Sequence, residues 1–260
     1  MSNSEHEPTN RPAAGAVFEP LDHLLTLQFQ MPLKFVRQKG LEFAARLSTF
    51  LDPRQMELQE SQWMFTQQAG DNSSGFFRLI IGETQLSIES VLGGNRLQWF
   101  EDRCGLILDE FHRSFTPVLV LVPTIRITGT LQIDGDARVF LSRHVTNFDV
   151  QRLQALKRPV QLFGIRFSMP PYQHPLPPKG RQKKGAAPKV EVVDWLIEAK
   201  AESLLADPTK LFLETLFVWQ KPVEWDTKTT KTLVGRLKEV EEFLKQRLIP
   251  CLVDDPMGGK

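Results

Sequence analysis

The chain has 260 residues, 41% of them hydrophobic and 24% charged: long enough to bury a real core and too apolar for a wholly disordered protein. Its 32 basic and 31 acidic residues leave a net charge of +1, which argues against a dedicated nucleic-acid binder and confines any cationic site to a local patch. Cys104 and Cys251 give neither a close pair nor a metal-type spacing, the N-terminus (MSNSEHEPTNRPAAG) is polar, and no apolar run approaches bilayer length; a soluble cytoplasmic protein without membrane contact is expected.

Residues 1–17, rich in Ser, Asn, Glu and Pro, read as a disordered leader. Order is expected from about Leu24, where LLTLQFQM alternates as a strand does. Pro32 suits a first helical turn, and Leu33, Val36, Ala44, Leu47 and Leu51 recur at helical spacing, with Gly40 weakening the middle. Asp52-Pro53 ends that helix. Three strands follow in MELQESQWMFTQ, FFRLIIG and TQLSIES, with GDNSSG as the first turn. Gly93 and Gly94 stop the sheet, and Asn95 is placed to cap a helix whose apolar stripe is Leu97, Phe100, Cys104, Ile107, Phe111 and Phe115.

After Pro117 the pattern starts again. TIRITGTLQI sets Ile125, Ile127, Leu131 and Ile133 on one face and Arg126, Thr128, Thr130 and Gln132 on the other. A short helix is expected over Asn147 to Leu156, then strands in VQLFGIRF, VEVVDWLIEAKAE and LFLETLFVWQ. A last helix from about Thr229 to Leu248 turns Leu233, Leu237, Val240, Leu244 and Leu248 inward, before a disordered tail over 251–260. The order is β-α-β-β-β-α twice over. It predicts an α+β fold of two lobes, 18–116 and 117–250, an internal duplication built from antiparallel sheet with helices packed on one face. The other face would stay half exposed, lined by Arg126, Thr128 and Thr130.

The stretch HPLPPKGRQKKGAAPK, within a Pro/Gly-rich loop over 170–189, carries five cations and no carboxylate. Its prolines, glycines and like charges suit a solvated connection between two strands. Its other reading is phosphate contact through Lys179, Arg181, Lys183, Lys184 and Lys189, joined by Arg126 on the open sheet face. Tyr172 stands just before it, and no aromatic side chain inside it can stack a base.

No catalytic, cofactor-binding or metal residue is assigned. The histidines His6, His23, His112, His144 and His174 are scattered, and no phosphate loop, dinucleotide fingerprint or nucleophile elbow occurs. Asp134-Gly135-Asp136 reads as a turn, Glu239, Glu241 and Glu242 as a solvated helix face, and the five tryptophans mainly as core. The stretches NRLQWFEDRCGLILDEF and TIRITGTLQI resemble a sporadically distributed prokaryotic family of two-lobed α+β proteins with no known activity. Its strand resembles RxGLRYIN, of which this chain keeps Arg126 and the alternation. The resemblance implies an accessory-genome role, such as host defence, and transfers no site.

The expectation is therefore a non-catalytic adaptor, an accessory subunit of a bacterial complex that binds a protein partner by an exposed sheet face or edge and needs no small-molecule cofactor. A nucleic-acid-associated module using the basic loop is the alternative. An enzyme with a site assembled from distant carboxylates ranks third.

Overall fold

Alternating side chains become two faces only when strands pair, and among the described residues nine strands pair into one sheet. The computed structural model describes residues 17–68, 75–92, 97–117, 119–146, 148, 157, 160–175, 190–226 and 228–253. The first run contains β1 (Phe18–Gln28), α1 (Arg37–Leu47), β2 (Gln55–Leu58), β3 (Gln62–Gln68), β4 (Phe76–Gly82), β5 (Gln85–Val91) and α2 (Leu97–Phe115). The second contains β6 (Leu119–Val120), β7 (Thr124–Gln132), α3 (Ala137–Val139), β8 (Gly164–Met169), β9 (Tyr172–Pro175) and β10 (Val190–Val193). It ends with β11 (Trp195–Leu204), β12 (Asp207–Trp219), β13 (Val223–Glu224), α4 (Thr229–Phe243) and α5 (Ile249–Val253).

One antiparallel sheet runs in the order β2-β3-β4-β5-β1-β7-β12-β11-β8, so the fold is α+β. Its seam is β1 against β7, with Leu25 opposite Ile125 and His23 opposite Ile127. The two regions expected as lobes thus share a sheet. They are not identical in layout: β9 and β10 form a separate ribbon, and β6 pairs with β13 apart from the main sheet.

Every second residue of the central strands is sealed on one face. Leu25, Leu27, Leu86, Ile88, Ile125, Leu131, Leu211 and Leu213 all have no exposed surface. Helices supply the cover: Phe43 of α1 meets Trp63 and Phe65, Phe100 of α2 stacks on His23, and Phe243 of α4 meets Phe217. Each such buried aromatic or leucine contributes roughly 1.5–3 kcal/mol. The stripe expected on α2 is buried from Leu97 to Phe111, with Phe115 half-buried at its end, and Trp63, Trp219 and Trp225 are core residues.

Several boundaries differ from expectation for local reasons. Strand β1 begins at Phe18, before Leu24, because its first residues pair with β7. Helix α1 begins only at Arg37: Leu33 donates its amide to Glu83 O at 2.6 Å, and Val36 stays extended, so Pro32 precedes the helix. Gly40, read as a weakness, is where the Trp63 indole lies against α1; an added Cβ would sit 2.8 Å from Cζ2. A short helix stands at Ala137–Val139, started by Asp136 accepting from the Arg138 amide at 2.8 Å, and runs into a wide turn over Phe140–Val145. The helix expected over 147–156 falls almost wholly outside the described residues, as do the Asn95 cap, the GDNSSG turn and residues 1–16.

The segment VEVVDWLIEAKAE divides at Asp194 into β10 and β11, and VQLFGIRF forms a strand only from Gly164. Across from Asp194, Pro170 and Pro171 deny the ladder two amides, so the β8–β11 hairpin stops and resumes as the β9–β10 ribbon. Helix α4 does not end at Leu248. It widens over Leu244–Leu248 and continues through Val253, with Leu252 buried, so residues 251–253 are helical and not tail. Pro250 explains the widening, since its ring clashes with the carbonyl four residues back in a regular α-turn.

The seam leaves no room for a side chain at Gly129. A Cβ at Gly129 would lie 2.5 Å from the Glu19 carbonyl oxygen and also meet the Phe18 ring. Gly129→Ala is expected to destabilise the protein by about 1–3 kcal/mol through this overpacking. A urea-unfolding midpoint at or above wild type would contradict that assignment.

Candidate functional site

The face of the sheet opposite the helices is where Arg126 sits. In register across the seam, Leu24 of β1 lies on one side of it and Leu216 of β12 on the other, and all three are half-buried. One row along, Thr26, Thr124, Val218 and Leu196 stand side by side. This makes a short apolar strip with a guanidinium at its centre. Thr128 and Thr130, expected to line the face, are 3% and 5% exposed: they form its floor beneath longer neighbours. Thr128 gives its hydroxyl proton to Asp22 at 3.0 Å.

Charge on this face is largely neutralised within the chain. Arg78 pairs with Glu89 and Arg166 with Glu198; Lys200 pairs with Glu202 at 2.8 Å, and Lys210 with Glu19 at 3.2 Å. Arg126 makes no ion pair among the described residues, and its buried Nε has no acceptor there. A buried guanidinium N–H without a partner carries a desolvation cost.

Of the six residues singled out for phosphate contact, only Arg126 is described. Lys179, Arg181, Lys183, Lys184 and Lys189 lie outside the described residues. The ribbon of β9 and β10 brackets them, and it takes His174 and Pro175, read as loop, into β9.

On the helix side a cleft of about 550 Å³ opens between β1, β7, α2 and α4. Its floor is Phe18, His23 and Ile127; Glu101 and Gln98 of α2 form one wall, and Lys238 and Glu241 of α4 the other. His23 is 2% exposed, stacks on Phe100 at 5.3 Å between centroids, and has no hydrogen-bond partner for Nδ1 among the described residues. Burial lowers its pKa from 6.5 to about 4, against the pull of Glu241 and Asp22, so the ring is neutral near pH 7. Glu101 is equally buried, 3.6 Å from Lys238 Nζ, and burial raises its carboxyl pKa despite that ammonium. Next to it on the stripe, Cys104 is sealed, and burial pushes its thiol well up.

A second cleft, about 720 Å³, lies under the β8 end of the sheet, with Met169, Trp195, Ile197, Phe217 and Phe243 as its apolar walls. Glu239 and Glu242 stand at it, and Glu241 at the first cleft. These carboxylates, read as a solvated face, thus border both openings, and burial raises the pKa of Glu239. Among the described residues no set of three His, Cys, Asp or Glu side chains converges on a metal position, and no helix is long and apolar enough to cross a membrane. No family model matches the chain, and no curated protein matches it either.

Sequence reasoning named His23 only as one of five scattered histidines and passed over Glu101. Both had a signal. His23 precedes Leu25 and Leu27 on the inward period of β1, and Glu101 lies between Leu97 and Cys104 on the buried period of α2.

The burial of neutral His23 links stability to pH. Its folded pKa lies below the unfolded value, so between pH 6.5 and about 4 the unfolded chain binds the extra proton, and stability falls as pH falls. The contribution is roughly 3 kcal/mol over that window. His23→Leu should flatten the slope of unfolding free energy against pH there; an unchanged slope in urea titrations at pH 6.5, 5.5 and 4.5 would rule the linkage out.

Proposed function

We propose that the chain is a non-catalytic interaction protein, an accessory subunit that docks a protein partner on the open face of its sheet. The observation that carries this reading is Arg126: a half-buried guanidinium with an unmet N–H, set between Leu24 and Leu216. Arginine flanked by apolar surface is a common anchor of protein interfaces, where a partner's carboxylate completes it as water is excluded. The expected partner surface is an apolar ridge bearing that carboxylate. The resemblance to prokaryotic accessory proteins supports placing the complex in bacterial host defence.

Nucleic acid fits this face less well. Its other cations are already paired with carboxylates, so a phosphate chain arriving at Arg126 meets Glu89, Glu198 and Glu202 nearby. The basic loop remains the feature that favours nucleic acid as the second reading.

Cross-linking mass spectrometry in native host extract tests the proposal. A partner cross-linked through Lys200 and Lys210, at the margin of the face, is expected, with recovery falling at least tenfold for Arg126→Glu and insensitive to nuclease. Links clustered elsewhere, or full recovery with the variant, would overturn it. Nuclease-sensitive recovery, with salt-dependent binding lost on neutralising Lys179, Arg181, Lys183, Lys184 and Lys189, would replace it with the nucleic-acid reading.

A further inference from the structure

Two nearly buried polar side chains line the cleft between α2 and α4, one with an unbonded nitrogen and one paired to a lysine that reaches in from solvent. His23 Nδ1 faces no partner among the described residues, although the side chain is almost wholly buried. The Glu101 side chain, 3% exposed, has one cation nearby, and at 3.6 Å Lys238 attracts it without closing a good hydrogen bond. Lys238 itself is 57% exposed, so its long side chain reaches in from solvent and can swing out again. Lys245, the other cation at the cleft, is held by Glu241 at 2.7 Å.

The chemistry of an occupant follows by elimination. An anion would meet Glu101, Glu241 and Glu242. A purely apolar molecule would leave His23 Nδ1 dry and unbonded, at the cost of an unmet polar group. A metal ion lacks a convergent set of ligands among the described residues. An ammonium group suits the place. It offers several N–H donors, which a neutral imidazole nitrogen and a carboxylate both accept, and the aromatic Phe18 lines the same cleft. Leu97 and Ile127 give an apolar wall for a short carbon stem, and the cleft volume of about 550 Å³ is ordinary for a small ligand.

We infer that this cleft binds a small organic ammonium ion, an alkylamine or short polyamine, with the cationic nitrogen between His23 and Glu101 in the place now served by Lys238. The site lies on the helix-covered side of the sheet and does not depend on the docking reading. Because Lys238 acts as an internal stand-in, its removal should free the carboxylate for the ligand.

Calorimetric titration and thermal shift of the full chain with n-butylamine, putrescine and spermidine, at constant ionic strength, provide the test; n-butanol and succinate are the controls. Saturable binding and a raised Tm are expected with at least one amine and with neither control. Glu101→Gln should weaken that amine at least tenfold, while Lys238→Met, a change at an exposed position, should tighten it several-fold. Should Glu101→Gln fail to fold, the Lys238→Met gain and a ring-nitrogen shift of His23 on amine addition carry the decision. No saturable amine binding, equal binding of a control, or Lys238→Met binding no tighter than wild type would overturn the inference.

Discussion

Strand β1 is hydrogen-bonded on both sides, to β5 and to β7, and this double pairing turns two runs of meander into a single surface. Were β1 an edge, each half would need to protect its own unpaired ladder. With β1 in the middle, His23, Leu25 and Leu27 lie under α2 and α4, and Leu24 and Thr26 fall at the centre of the opposite face. The seam tolerates only glycine at 129, since the β1 backbone and Phe18 occupy the space that a side chain would take. The two faces are thereby tied to the same strand pair.

The two faces handle polar groups in opposite ways. On the open side, charges meet one another across neighbouring strands and remain partly wet, which costs little and contributes little to stability. On the covered side the polar groups are few and largely dry. His23 stays neutral and Glu101 is displaced toward its neutral form, because the interior penalises charge more than nearby ions relieve it. Arg126 falls between these regimes: it belongs to the open face, yet its Nε is shut away from solvent.

Much of this was readable in the residues, and the part that was not has a clear cause. The α2 stripe and the β7 alternation were visible because each follows from spacing along one element. The order of strands in the sheet was not, since nothing in TIRITGTLQI names LLTLQFQM as its neighbour. Local punctuation misled where tertiary contacts outweighed it: Pro32 looked like a helix start, but the Leu33 amide is held by Glu83. Pro250 was the unread sign that the last helix widens and goes on. The clefts were hidden for a related reason, one being assembled from β1, β7, α2 and α4 and the other from β8, β11, β12 and α4, although the inward positions of His23 and Glu101 could each have been marked from periodicity.

Placing the first strand at the middle of the sheet also has a consequence in time. Leu25 must wait for Ile125, so the ladder that completes β1 closes only after the whole first meander and α2 have left the ribosome. Until then the nascent chain presents a long apolar strand with one naked rim. Contacts so distant along the sequence are slow to find one another, so that rim stays open to other chains for longer than a local hairpin would.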